Sequence, residues 1–138
     1  MKRLIVLLIF PATCLLSCKK FIEQQEKKAV MNIITSGTWY VFQYSKNDSN
    51  ITAAFSGYSF KFDANGVVTG KTTTTTQKGV WAADIGARTV TASFPMADTP
   101  VSYLNYAWKI VDSYDNRVVA RVTDTVANTT NVLDLRKN

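Results

Sequence analysis

Residues of the types that carry chemistry are few in this chain. It has 138 residues and no histidine, which excludes a Ser–His triad, a histidine general base and most zinc sites. Its aspartates lie nearly all at predicted turns, where aspartate is common for backbone reasons. No carboxylate pair, Ser–Lys pair, phosphate-binding loop or calcium-binding loop has a recognisable spacing. We therefore expect no enzymatic activity, no cofactor and no metal site.

The two cysteines, Cys14 and Cys18, lie in a segment that indicates targeting rather than catalysis. An apolar run, Leu4–Phe10, follows a basic N-terminus, and Lys19 ends the apolar region, which is the layout of a secretory signal. A membrane-spanning helix is the alternative. However, the fifteen residues between Arg3 and Lys19 would span only roughly 22 Å of a hydrocarbon core about 30 Å thick.

Leu15-Leu16-Ser17-Cys18 resembles the lipobox of bacterial lipoproteins. The resemblance implies cleavage after Ser17, so that residues 1–17 are a signal peptide and Cys18 is the point of lipid attachment. Residues 18–36 would then form a lipidated tether and a short helix. The implied location is the bacterial cell envelope, with the lipid on Cys18 anchoring the chain to the outer membrane on the periplasmic side. Which leaflet holds the lipid stays open.

The charge of the chain gives little indication of a partner. The formal net charge is +6, and the basic residues are spread along the sequence rather than gathered on one stripe, so we expect no nucleic-acid partner. Lys19, Lys20, Lys27 and Lys28 lie beside the expected lipid anchor. They are either a solvated tether or contacts to anionic lipid headgroups.

Hydrophobic periodicity predicts one helix followed only by strands. Apolar residues at helical spacing predict the helix over Phe21–Thr35, and Ser36-Gly37 ends it. Alternating apolar and polar residues then predict eight strands, with Asn65-Gly66 forming one hairpin turn. They cover 38–45, 58–63, 67–73, 79–83, 88–94, 106–113, 117–123 and 130–136. Because the connections are short, we predict an all-β fold over residues 37–138, an eight-stranded antiparallel up-and-down meander barrel, with a two-sheet sandwich as the alternative.

Gly37-Thr38-Trp39, placed between a helix and the first strand, resembles the start of the lipocalins. In that family the tryptophan plugs the closed end of the barrel and a basic residue from the last strand packs across it. The resemblance implies structural closure by Gly37, Trp39 and Arg136, with Lys137 and Arg121 as substitutes. The order of GTW, FSGYSFKFDANG, KGVWAA, LNYAWKIV and LDLRKN is similar to the lipocalin-like domains of bacterial envelope lipoproteins over residues 36–138. It implies a one-domain barrel with no established enzymatic role.

Strand alternation predicts which side chains face the barrel interior or its mouth. The candidate ligand-binding residues are Trp39, Val41, Gln43, Tyr58, Phe60, Phe62, Trp81, Phe94, Trp108 and Ile110. One interpretation is an apolar pocket that binds or carries a small hydrophobic molecule. The other is that these side chains fill the barrel, which would then act as a protein-interaction or inhibitor module at the envelope. A barrel of eight strands is compatible with both.

Overall fold

One helix and nine strands make up the computed structural model, which describes residues 14–138 and their side chains from residue 19 onward. The helix is α1 (Cys14–Thr35). The strands are β1 (Trp39–Lys46), β2 (Ser49–Asn50), β3 (Ser59–Phe62), β4 (Val67–Lys71), β5 (Thr76–Asp84), β6 (Thr89–Ser93), β7 (Ala107–Tyr114), β8 (Arg117–Asp124) and β9 (Thr129–Lys137). Two 3₁₀ turns, Thr52–Phe55 and Val101–Leu104, lie in the longer connections.

The strands close into an eight-stranded antiparallel barrel. Each long strand pairs with the next along the chain, and β1 pairs with β9, which closes the ring. The short strand β2 extends only β1 and stands outside the ring. Between β1 and β3 the ladder holds a single residue pair, Trp39 with Phe60, so this is the weakest seam. The predicted all-β barrel is confirmed, and closure excludes the two-sheet sandwich.

Helix α1 is longer than predicted, because it begins at Cys14 rather than at Phe21. It ends as predicted before Gly37, whose φ of +74° is a left-handed conformation that favours glycine. None of the described helices is long and apolar enough to cross a membrane. Residues 1–13 of the predicted signal peptide lie outside the described residues, as does the side chain of Cys18.

A bulge in β1 changes which of its side chains face inward. Val41 pairs with Leu135 and Gln43 with Asp134, so that Phe42 is the extra residue in this strand. One extra residue reverses the alternation of side chains beyond it. Tyr44 is therefore completely buried, whereas Gln43 is exposed. The inward position predicted for Gln43 is wrong for this reason.

Aromatic side chains pack one end of the barrel, which we call the filled end. Tyr44 stacks on Phe55, with ring centroids 5.4 Å apart, and meets Trp108 edge to face at 5.8 Å. The hydroxyl of Tyr44 donates a hydrogen bond of 2.7 Å to the main-chain oxygen of Tyr103. Burial raises the pKa of Tyr44 above its usual value. Helix α1 meets the barrel at the opposite end, which we call the helix end.

Candidate functional site

The barrel is not filled along its whole length. A cavity of about 1090 Å³ occupies the interior toward the helix end and continues beneath α1. Its wall is mostly aliphatic and aromatic, with contributions from α1 and from all eight strands that close the ring. A cavity of this size is slightly larger than the usual small-molecule site of about 300–1,000 Å³.

The floor of the cavity is the inner surface of the filled end. Phe60, Phe94, Leu104 and Trp108 form it, and each is 5% exposed or less. Phe60 and Phe94 meet edge to face with centroids 6.4 Å apart. The indole Nε1 of Trp108 donates a hydrogen bond of 2.9 Å to the carbonyl oxygen of Leu104. The floor is therefore apolar and closed to solvent.

The mouth of the cavity lies at the helix end, between α1 and the hairpin that joins β5 to β6. Glu23, Glu26 and Lys27 reach it from the helix, and Asp84 and Arg88 from the hairpin. All five side chains belong to exposed residues. Charged groups of both signs therefore surround the opening, whereas none of the described side chains that line the interior is charged.

Three contacts hold the end of α1 against the barrel. Trp39 Nε1 donates a hydrogen bond of 2.9 Å to the carbonyl oxygen of Ile34. Lys61 Nζ donates to the carbonyl oxygen of Thr35. Lys137 Nζ donates to Ser36 Oγ over 2.9 Å and lies 4.9 Å from the centroid of the Trp39 ring. These contacts place the last turns of the helix over the interior.

The basic residue that packs across Trp39 is Lys137 rather than the predicted Arg136. Successive residues of a strand point to opposite faces, and Arg136 lies on the outer face of β9. There its guanidinium stacks on Phe42, 3.3 Å from the ring centroid, and pairs with Asp134 at 3.4 Å. Arg117 also pairs with Asp134 at 3.1 Å, and this hydrogen bond raises the pKa of the Arg117 guanidinium. The lipocalin resemblance implies Lys137 as a substitute for Arg136 in this role.

Six of the ten side chains proposed from the sequence as ligand-binding line the cavity. They are Trp39, Phe60, Phe62, Phe94, Trp108 and Ile110.

Four do not line it. Val41 is buried elsewhere in the core, and Trp81 packs edge to face on Phe62 at 5.5 Å. Tyr58 does not line the cavity but stacks on Phe60, with ring centroids 5.9 Å apart. Gln43 is turned to solvent by the bulge.

Sequence reasoning missed the wall that α1 supplies. Ala29, Val30, Ile33 and Ile34 line the cavity, although the helix was expected to lead out of a tether. Their spacing places them on one face of a helix, which is the signal that could have identified this wall. Ile85, in the turn between β5 and β6, also lines it. A single apolar residue in a turn carries no comparable signal.

No acid–base or metal chemistry is assembled in the described residues. Among them, no three side chains of His, Cys, Asp or Glu come together in a way that could hold a metal ion. What the arrangement can do is enclose an apolar molecule and present charged groups at the opening.

Comparison with known proteins gives information about the fold alone. The sequence matches no protein-family model and no curated protein at a significant level. The structure is similar to the crystal structure of a DUF4847 family protein from Bacteroides vulgatus ATCC 8482, with a TM-score of 0.56 and 19% sequence identity. The match covers 79% of this chain and 97% of that one. At this identity the similarity supports the barrel architecture only.

Proposed function

We propose that this chain binds or carries a small hydrophobic molecule in the barrel cavity. The observation that supports the proposal is the apolar cavity of about 1090 Å³ with its mouth at the helix end. Each apolar Å² that a ligand removes from water contributes roughly 25 cal/mol to binding. A ligand in the cavity would also gain dispersion contacts with the apolar wall. The alternative of a filled barrel acting as a protein-interaction module has no comparable support, because side chains fill only one end.

A fluorescence titration tests the binding proposal. N-phenyl-1-naphthylamine, an uncharged probe that brightens in apolar surroundings, is added to the purified full chain in detergent-free buffer. Ala92→Phe places a ring in the cavity, whereas Val80→Phe places the same ring on the outer face of the adjacent strand, where Val80 is 60% exposed. We expect saturable binding that Ala92→Phe weakens at least tenfold and Val80→Phe leaves unchanged.

The two variants share the same N-terminal segment, so a difference in their affinity for the probe shows that the probe binds in the cavity. Circular dichroism establishes that each is folded, and Ala120→Leu, which narrows the cavity from β8, repeats the test at a second wall position. No saturable binding to the folded wild type would contradict the proposal. Equal binding by all variants would place the probe outside the cavity.

We also propose that Cys18 carries a lipid and anchors the chain in the bacterial envelope, on the periplasmic face of the outer membrane. The Leu15-Leu16-Ser17-Cys18 sequence supports this. From Cys18 to Glu23, where the mouth begins, is only about 8 Å along a helix. An anchored chain would therefore hold its cavity mouth close to the membrane surface.

Metabolic labelling tests the anchor. A bacterium expressing the full chain is fed an alkyne-bearing palmitate, and the purified protein is examined for the label. We expect Cys18→Ser to abolish labelling and the matched Cys14→Ser to retain it. After cell fractionation, the wild type should be found in the outer-membrane fraction. Label retained by Cys18→Ser would contradict the assignment.

A further inference from the structure

Among the described residues, none of the side chains in the deep part of the cavity has a hydrogen-bonding group free for a ligand. Its floor and adjacent wall consist of Phe60, Phe94, Leu104, Trp108, Ala120 and Leu133, and Trp39 lines the cavity nearer the helix. The indole N–H groups are the polar atoms of these side chains, and both are already used. Trp39 donates to the carbonyl oxygen of Ile34, and Trp108 to that of Leu104.

The main chain around the floor is also occupied. Ala120 and Leu133 are partners in the β8–β9 ladder, and Leu133 also pairs with Tyr44 of β1. The carbonyl oxygen of Leu104 accepts a second hydrogen bond, from the amide of Tyr106. A polar atom placed at the floor would thus lose its water and gain no partner.

The mouth has the opposite character. Two acidic side chains and one basic side chain from α1 face an acidic and a basic side chain from the β5–β6 hairpin. These are Glu23, Glu26, Lys27, Asp84 and Arg88, all of them exposed. They provide both donors and acceptors, and a polar group held there stays in contact with water.

We infer that the ligand is an amphiphile polar at one end only, which enters with its hydrocarbon end toward Phe94 and Trp108 and keeps its polar group between α1 and the β5–β6 hairpin. This inference rests on the proposed function and adds the class and orientation of the ligand. A molecule with polar groups at both ends must bury one of them at the floor. That burial weakens binding by roughly ten- to a hundredfold.

Two isomeric diols separate these cases, because they have the same atoms and differ only in where the second hydroxyl lies. Dodecane-1,2-diol carries both hydroxyls at one end, and dodecane-1,12-diol carries one at each. Each displaces N-phenyl-1-naphthylamine from the full chain below its own aggregation concentration. We expect the 1,2-isomer to bind at least tenfold more tightly, after correction for the octanol–water partition of each isomer.

A hydroxyl built into the wall provides the matched control. Ala120→Ser introduces a hydrogen-bonding group beside the floor, whereas Ala82→Ser introduces the same group at an exposed position of β5. We expect Ala120→Ser to strengthen binding of the 1,12-isomer and so to reduce the difference in affinity between the two isomers. Ala82→Ser should leave that difference unchanged.

Equal affinities of the two isomers for the wild type would overturn the inference while the cavity remained a binding site. So would failure of both isomers to displace a bound probe. If the ratio of the two isomers' affinities were the same in Ala120→Ser as in the wild type, the placement of the ligand's hydrocarbon end at the floor would be contradicted. Absence of probe binding to the wild type is a different result, since it contradicts the proposed function itself.

Discussion

The indole Nε1 of Trp39 and the carbonyl oxygen of Ile34 are joined by a hydrogen bond of 2.9 Å, and both residues belong to the core. The bond ties the first strand of the barrel to the last turn of α1. Four carbonyl groups at the end of a helix lack intrahelical partners, and Trp39 satisfies one of them. The same side chain lines the cavity. Trp39 therefore contributes both to the wall of the cavity and to the placement of the helix.

Replacing Trp39 by phenylalanine keeps an aromatic ring but removes this donor. We expect the free energy of unfolding to fall by about 1–3 kcal/mol, because a buried carbonyl loses its partner and some ring volume is lost. Urea denaturation measures the loss. Hydrogen exchange of α1 amides near Ile34 should accelerate more than that of the β8–β9 ladder. Uniform acceleration in both elements would show that Trp39 supports the fold without specifically holding the helix.

Tyr44 makes the stability of the protein sensitive to alkaline pH. Burial raises the pKa of Tyr44 in the folded state above the usual value of about 10, at which the unfolded chain ionises. The contribution of protonated Tyr44 to the stability of the fold is fully present below about pH 10. As pH rises above that value the unfolded state loses a proton that the folded state keeps. Stability then falls by up to about 1.4 kcal/mol per pH unit.

Tyr44→Phe removes this titration and also the hydrogen bond to the carbonyl oxygen of Tyr103. We expect the variant to be about 1 kcal/mol less stable at neutral pH. Between pH 10 and 11.5 its stability should fall less steeply than that of the wild type. Urea denaturation across this range measures both effects. Parallel pH profiles for the two proteins would contradict the role assigned to Tyr44.

Gly79 allows β5 and β6 to approach each other closely. A Cβ atom at this position would overlap the carbonyl oxygen of Ser93 and lie 2.8 Å from the ring of Phe94. We expect Gly79→Ala to destabilise the barrel by about 1–3 kcal/mol, because the main chain must move. Gly86 is the control, since its nearest contact would be an ordinary 3.6 Å. Gly86→Ala should change the midpoint of thermal unfolding little, and an equal loss in both variants would contradict this explanation.

The strands and their closure could be predicted because each depends on local alternation and short turns. The eight predicted strands correspond to β1 and β3–β9. The inward face of β1 could not be predicted beyond Val41, because the bulge at Phe42 is fixed by pairing with β9, far away in the sequence. The sequence also left open whether the barrel holds a cavity or is filled, because the floor and the helical wall are brought together only by the tertiary packing of Phe94, Trp108 and α1.

Lys137 and Arg136 are neighbours in the sequence but support different parts of the barrel. Lys137 contacts Ser36 and the Trp39 ring at the end of α1, whereas Arg136 stacks on Phe42 and pairs with Asp134 on the outer wall. We expect Lys137→Ala to accelerate hydrogen exchange in the last turn of α1 without changing exchange around the bulge. Arg136→Ala should do the reverse, accelerating exchange where β1 pairs with β9. If Arg136→Ala loosened the helix as much as Lys137→Ala, the closure of the barrel would follow the pattern implied by the lipocalin resemblance.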